Sequence, residues 1–321
     1  MDINRDNMLN FFLEIQSQFS DGLNAKRDNL ILGKVAQQVQ SNAAQTVHGW
    51  LNQIPSVREW IGDRIVKNIQ SNKLTITNRI FESTIEIPRV DVEDDLHRLY
   101  LNNANYMGMN AVAFKDELLV EQLLQGLTNK WADDVANFSA AGRSYDGTNA
   151  ICNYTTTAYT EDGSALNTAY AQQTSYLGHS GKPLMVRPRY ILHGPLLRTR
   201  VQKSLSTYGA LLASATQVGG QIVNPNANLV EAIETPYLVN GYVDSKGTSY
   251  NAGYYWFVLG EVAGIRGLVL QERAAPEMQM QRAQLDSEFL MNTDKFQYGC
   301  RSRAAAFISL PHLVHANLGT A

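Results

Sequence analysis

The chain has 321 residues, 44% of them hydrophobic and 18% charged, with a formal charge of −3. That is enough apolar material for one large domain or two to three smaller ones. It carries no basic excess of the kind a strong nucleic-acid binder uses, since such affinity comes largely from Lys and Arg displacing counterions. Charged content below the usual quarter leaves a surface of neutral polar groups, which Asn, Gln, Ser and Thr supply.

Residues 3–20 place Met8, Leu9, Phe12, Leu13, Ile15 and Phe19 on one helical stripe, and "SDGLNAKRDN" reads as the break after it. The start, "MDINRDNMLNFFLEIQ", has acidic residues and no apolar core of signal-peptide length. No stretch approaches the ~18 apolar residues of a membrane span, so a soluble protein made in a cytosol is expected. Next comes "VAQQVQSNAAQTVHGWLNQIP", polar, extended and poor in core residues. An arm of this composition has too little apolar surface to fold alone and must lie on something else.

"SVREWIGDRIVKNI" offers Val57, Trp60, Ile61, Ile65, Val66 and Ile69 as anchors, and "NKLTITNRIFESTIEIPRVDVEDD" (Asn72–Asp95) follows. From Leu74 to Ile87 apolar and polar residues roughly alternate, with a phase slip at Ile80–Phe81, which is strand chemistry. At ~3.3 Å per residue that ribbon would reach ~46 Å, far beyond an ordinary strand. The layout predicts two extended arms joined by a turn near Ser71–Lys73.

A long helix is expected over Asp91–Leu127, from the three-to-four spacing of Leu96, Leu99, Tyr100, Met107, Ala111, Phe114, Leu118, Leu123 and Leu127. Asp91, Asp94 and Asp95 are suited to its N-terminus, and Gly126 to its end. Residues from Tyr145 to Lys182 are loop-rich, with a short helical "TAYAQQTSYLGHS". "RYILHG" reads as a strand and "PLLRTRVQKSL" as a helix opened by Pro195. "GYYWFVLGEV" and "GLVLQER" are buried-strand candidates, and "FQYGCRSRAAAFISL" a closing strand pair or strand–turn.

Catalytic patterns are absent. "YLGHSGKP" (Tyr176–Pro183) puts Tyr where a phosphate loop needs Gly, and Pro where it needs a hydroxyl. The acidic run at Asp91, Glu93, Asp94 and Asp95 is read as helix capping and a solvated face. His312 and His315, three apart, read as strand edge rather than metal ligands. Tyr254–Val258 ("YYWFV") has no neighbouring Lys or Arg to make a base-stacking platform, so it reads as core strand. Cys152 and Cys300 have neither CxxC spacing nor a histidine cluster, and are read as free thiols in a reducing compartment. Shape remains: an arm, a long ribbon, a long helix and an α/β lobe.

In that order, "REWIGDRI" (Arg58–Ile65), "FESTIEIPRVDVEDD" (Phe81–Asp95), "DELLVEQLLQG" (Asp116–Gly126) and "YDG" (Tyr145–Gly147) resemble the major head subunit of Mu-type phages and related prophages. "RPRYILHGPLLRTRVQKSL" (Arg187–Leu205) resembles a later segment of that family more loosely. After "YDG" the family's aromatic, His-Pro-containing continuation is replaced by "TNAICNYTTTAYTEDG". The resemblance implies an α+β protein with the capsid fold named after phage Hong Kong 97. It implies an N-terminal arm over 1–50, an extended hairpin called the E-loop over 51–92, and a peripheral domain with a spine helix over 93–147. It further implies an axial domain over most of 148–294 and a return to the peripheral domain over 295–321.

The function implied is that of a major capsid protein, not an enzyme, without cofactor or metal. Copies would assemble as hexamers and pentamers into an icosahedral head around double-stranded DNA. Assembly would occur in the host bacterial cytoplasm with scaffold and portal proteins, a decoration protein being a further partner, and would end in the virion with no membrane involved. The mild acidity suits an inner wall that does not grip DNA. Contact candidates on the ribbon are Arg58, Trp60, Asp63, Arg64, Ile76, Phe81, Glu82, Ile85, Glu86 and Arg89. Competing readings are another virion protein, such as a tail-tube or decoration subunit, and a hydrolase with a dispersed site.

Overall fold

The computed structural model describes residues 5–27, 31–51, 71–94, 97–144, 150–178, 181–206, 224–282 and 288–320. The helices are α1 (Arg5–Arg27), α2 (Leu32–Val35), α3 (Arg89–Glu93), α4 (His97–Leu124), α5 (Ser164–Thr174), α6 (Arg198–Leu205) and α7 (Glu288–Thr293). The strands of the first half are β1 (Ala36–Gln40), β2 (Gln45–Leu51), β3 (Ser71–Thr77), β4 (Arg79–Pro88), β5 (Arg143–Ser144), β6 (Ala150–Ile151) and β7 (Tyr154–Thr155). Those of the second half are β8 (Arg187–His193), β9 (Glu231–Glu234), β10 (Asn240–Val243), β11 (Ser249–Asn251), β12 (Tyr255–Val262), β13 (Ile265–Arg266), β14 (Leu268–Arg282), β15 (Lys295–Ile308) and β16 (Val314–Leu318).

Two larger sheets organise these elements, in an α+β arrangement. One has the order β1-β14-β15-β4, the other β7-β16-β12-β8-β9 with β13 on β12. In the first, β1 runs parallel to β14 while β14–β15 and β15–β4 are antiparallel. The second is built around β12, whose Trp256, Phe257 and Val258 are wholly buried. Trp256 to Val258 of the aromatic run are therefore core, whereas Tyr254 is half-buried with the Arg200 guanidinium 5.9 Å over its ring.

Helix α4 joins the two sheets. Its C-terminal half is buried or half-buried all round, and Leu119 and Leu123 share one core with Leu192 and Phe257 of the second sheet and with Leu268 and Ile308 of the first. Its N-terminal half is covered by α1. Met8, Phe11, Ile15 and Phe19 of α1 meet Ala104 and Met107 there, above Ile87, Phe296 and Tyr298 of the first sheet. Burying side chains of this size contributes ~1.5–3 kcal/mol each before entropy is counted.

Two details of α1 differ from expectation. Leu9 and Leu13 are each 51% exposed, and Phe11 takes their place in the stripe. The helix also runs through Gly22 to Arg27 instead of breaking. Gly22 serves as a contact point: a Cβ there would lie 2.1 Å from the Asn105 carbonyl oxygen. One at Gly108 would lie 2.2 Å from that of Phe19, so the antiparallel α1 and α4 touch backbone to backbone at both glycines.

The ribbon also departs from the expected layout. Ser71, Asn72 and Lys73 are paired strand, opposite Leu51, Trp50 and Gly49. The first arm of the hairpin is thus Gln45–Leu51, whose polar sequence hid its strand character, and the expected arm "SVREWIGDRIVKNI" lies outside the described residues. Alternation does not continue as one strand from Leu74 to Ile87, because Asn78 separates β3 from β4. The second piece then joins its own body: β4 pairs with β15 from Arg79↔Ala304 to Pro88↔Lys295. Asp91 does not cap α4 but accepts a hydrogen bond from the Tyr100 hydroxyl, and Asp94 ends α3.

Candidate intersubunit surfaces

Hairpin β2–β3 is anchored at its root by a closed set of polar contacts. Asn78 Nδ2 donates to Ser41 Oγ (3.1 Å) and to the Ala43 carbonyl (2.9 Å), while its backbone N–H donates to Ala44 (3.0 Å). Its Oδ1 accepts from Gln271 Nε2 at 2.8 Å, and Gln271 Oε1 lies 2.8 Å from His48 Nε2. Ser41 Oγ also lies 2.8 Å from Thr46 Oγ1, and the His48 ring packs 4.8 Å from that of Phe307. Gln271 is wholly buried, so each of these bonds replaces one that water would otherwise make. The hairpin has two unlike faces, one carrying the root contacts and one facing away. Thr46, His48, Leu74 and Ile76 are half-buried on one, whereas Val47 and Thr75 are exposed on the other.

The contact candidates separate into three groups. Arg58, Trp60, Asp63 and Arg64 lie outside the described residues. Ile76 sits on the half-buried face of the hairpin, opposite Thr46. The remaining five are on or next to β4 and already have partners within the chain. Phe81 packs against Phe114 of α4 with ring centroids 4.2 Å apart and tilted, and the Arg79 guanidinium lies 5.0 Å over its ring. Ile85 packs into the α1–α4 core. Glu86 accepts bonds from Lys295 (2.9 Å) and Gln297 (2.7 Å), and these hold its carboxyl below the usual range. Arg89 pairs with Glu93 one helical turn on at 2.9 Å. Glu82, exposed, accepts from the Thr84 hydroxyl at 2.8 Å. Odd positions of β4 therefore face the body, and even ones face away.

Carboxylates converge at one place that sequence reading missed, between α4 and the turn after β10. Glu121, almost fully buried, accepts from the Ser245 backbone N–H and its hydroxyl (3.0 Å). Asp244 accepts from Gln125 (3.0 Å), from the Tyr250 hydroxyl (3.2 Å) and from the backbone of Lys246 and Thr248. Half-buried Glu117 accepts from Tyr242 at 3.0 Å, and burial raises its carboxyl above the usual value. Every one of these carboxylates is engaged in pinning the β10–β11 turn to α4, an arrangement that leaves no free base. Sequence distance conceals the set, since its members lie ~120 residues apart.

His193, His312 and His315 are buried, and burial lowers each of them below the usual imidazole value. Burial pushes His312 down to about 3 and His315 down to about 4. His315 Nδ1 lies 3.0 Å from the Tyr176 hydroxyl. Among the described residues no group of three or more His, Cys, Asp or Glu is placed to hold a metal ion. Cys152 and Cys300 are free thiols. No described helix is long and apolar enough to cross a membrane.

A spine-like helix joining two sheets, with a two-stranded hairpin leaving the body, is the fold of Hong Kong 97-type phage capsid subunits. The structure of a bacteriophage JBD30 procapsid matches it with a TM-score of 0.55 at 21% identity, covering 98% of this chain and 76% of that one. The family model of the Mu-like prophage major head subunit gpT matches residues 8–170 and 241–320, and the chain belongs to that family. It is 32% identical over 123 residues to the major capsid protein of Escherichia phage Mu, covering 37% of this chain and 40% of the relative. It is 31% identical over 183 residues to the Mu-like prophage FluMu major head subunit of Haemophilus influenzae, covering 56% and 57%. The chain thus aligns with about half the length of these two relatives.

Proposed function

We propose that this chain is the major capsid protein of a tailed phage or prophage, a structural subunit without catalytic chemistry. Copies of it build hexamers and pentamers of an icosahedral head around double-stranded DNA. The observation that carries this reading is the β2–β3 hairpin, held to the body at its root while Val47, 56% exposed, and its neighbours face away. Such a ribbon gains burial from a neighbouring copy, and a closed symmetric shell supplies one to every subunit. Membership of the head-subunit family supports the same reading.

In this reading the E-loop comprises β2, β3 and the residues between them, a shorter and earlier segment than 51–92. Strands β4, β14 and β15 with α4 form the peripheral unit, and the sheet around β12 forms the axial one. Ile76 and the exposed hairpin face are the contacts to a neighbour. Scaffold and portal proteins during assembly, and a decoration protein afterwards, follow as partners. Sedimentation of the purified chain tests this. Large, fast-sedimenting particles are expected, and a species that stays at 35.7 kDa at all concentrations would refute it.

A further inference from the structure

The first sheet has one face covered by α1 and α4 and another that points away from them. Met278, Phe296, Tyr298 and Cys300 line the covered face, so the alternate residues Glu277, Gln279, Arg301 and Arg303 line the other. At one end of that open face lies the hairpin root, with Gln271 bonded to Asn78 and Phe307 against His48. Directly beyond it Arg273, Arg301 and Arg303 surround a cleft of 280 Å³, with Glu277 as its one carboxylate. A second cleft of 360 Å³ continues it, sharing Arg301 and Gln279 and adding Ile80 and Glu82.

The three arginines stand beside Glu277 and Glu82 without closing an ion pair on either. None of them makes an ion pair among the described residues. Glu272, next to Arg273 in the chain, is taken by Lys115 at 2.7 Å. The Nε groups of Arg273 and Arg303 are buried with no hydrogen-bond partner. Leaving such donors unmet is costly, and a carboxylate docking on the outer nitrogens of the guanidinium fork would offset part of that cost.

We infer that this arginine-lined cleft is the seat for an acidic segment of a second copy of this chain. The inference rests on the shell reading and names one surface within it. Two observations select a protein occupant over a nucleic-acid backbone. Ile80, 58% exposed at the edge of the second cleft, calls for an apolar partner. A second copy, with 30 acidic against 27 basic residues, brings carboxylates in excess. The cleft also adjoins the root of the hairpin, so a contact there extends the same interface.

The test is the double variant Arg301→Gln/Arg303→Gln, which removes charge without setting new carboxylates opposite Glu82 and Glu277. Its particle yield, read by sedimentation and electron microscopy beside wild type, should fall about tenfold or more, as expected when buried interfacial charge pairs are lost. Particles at wild-type yield overturn the inference and leave the shell reading standing. A wild-type chain that forms no particles overturns both. Phenylglyoxal labelling of wild type supplies an arm that does not depend on the variant folding. Arg301 and Arg303 should react in dissociated subunits and be protected in assembled particles, including particles emptied of nucleic acid. Equal labelling in both states, or protection only when nucleic acid is present, contradicts a second copy as the occupant.

Discussion

His315 shows how a residue with chemical potential becomes part of a wall. It lies wholly buried on β16, bonded to Tyr176, and its ring is held neutral because burial penalises the charged form. The folded value of about 4 lies below the usual 6.5, so the unfolded chain binds more protons in between. The stability contributed by the neutral ring is complete above pH ~6.5 and is lost as pH falls toward the folded value; His312 acts in the same direction. Urea unfolding of dissociated subunits should therefore show a midpoint that drops from pH 7 to pH 5. His315→Gln should flatten that slope by up to ~1.4 kcal/mol per pH unit, the limit for one proton. An unchanged slope would show that the ring titrates normally. Sequence reading assigned this pair to a strand edge and rejected a metal site. It could not see their burial, because "SLPHLVH" carries no mark of the α5 helix that packs nearby. Phe81 teaches a related lesson. Its alternation was plain in the sequence, yet alternation does not say whose core the apolar face enters, and Phe114 of the same chain settles it.

Elements were legible to the extent that they signal locally. Strand β12 was readable from an unbroken apolar run, and α4 from its periodic leucines, since both are buried on most sides and need no distant partner to declare their type. Hairpin β2–β3 was half legible. Its second arm alternates, but "QTVHGWL" does not, and the pairing between them spans the residues from Leu51 to Ser71. The root was not legible at all, because Ser41, His48, Asn78 and Gln271 are ordinary polar residues until the fold gathers them. Their closed network gives the sharpest test at this scale. Gln271→Ala leaves the Asn78 oxygen and His48 Nε2 without their partner inside the protein, at a cost of about 1–3 kcal/mol. Hydrogen exchange should then quicken in residues 45–51 and 71–77 while β12 keeps its protection. Uniform loss of protection across both would mean that the network holds the core as a whole, not the hairpin alone.

For the whole molecule, two larger sheets are defined by which strand pairs with which. Strand β14 enters the first sheet and β16 the second, so the chain crosses between the two sheets more often than its composition reveals. Long β14 and β15 are the reason, as fifteen- and fourteen-residue partners must lie side by side along most of their length. Hairpin β2–β3 lies outside both of the larger sheets, anchored at its root and exposed along one face. A cryo-electron microscopy map of particles assembled from the purified chain measures its destination directly. Closed shells in which β2–β3 lies across an adjacent subunit are the expected result. A map, or a solitary subunit, with that hairpin folded against its own sheets and touching no neighbour would contradict the account.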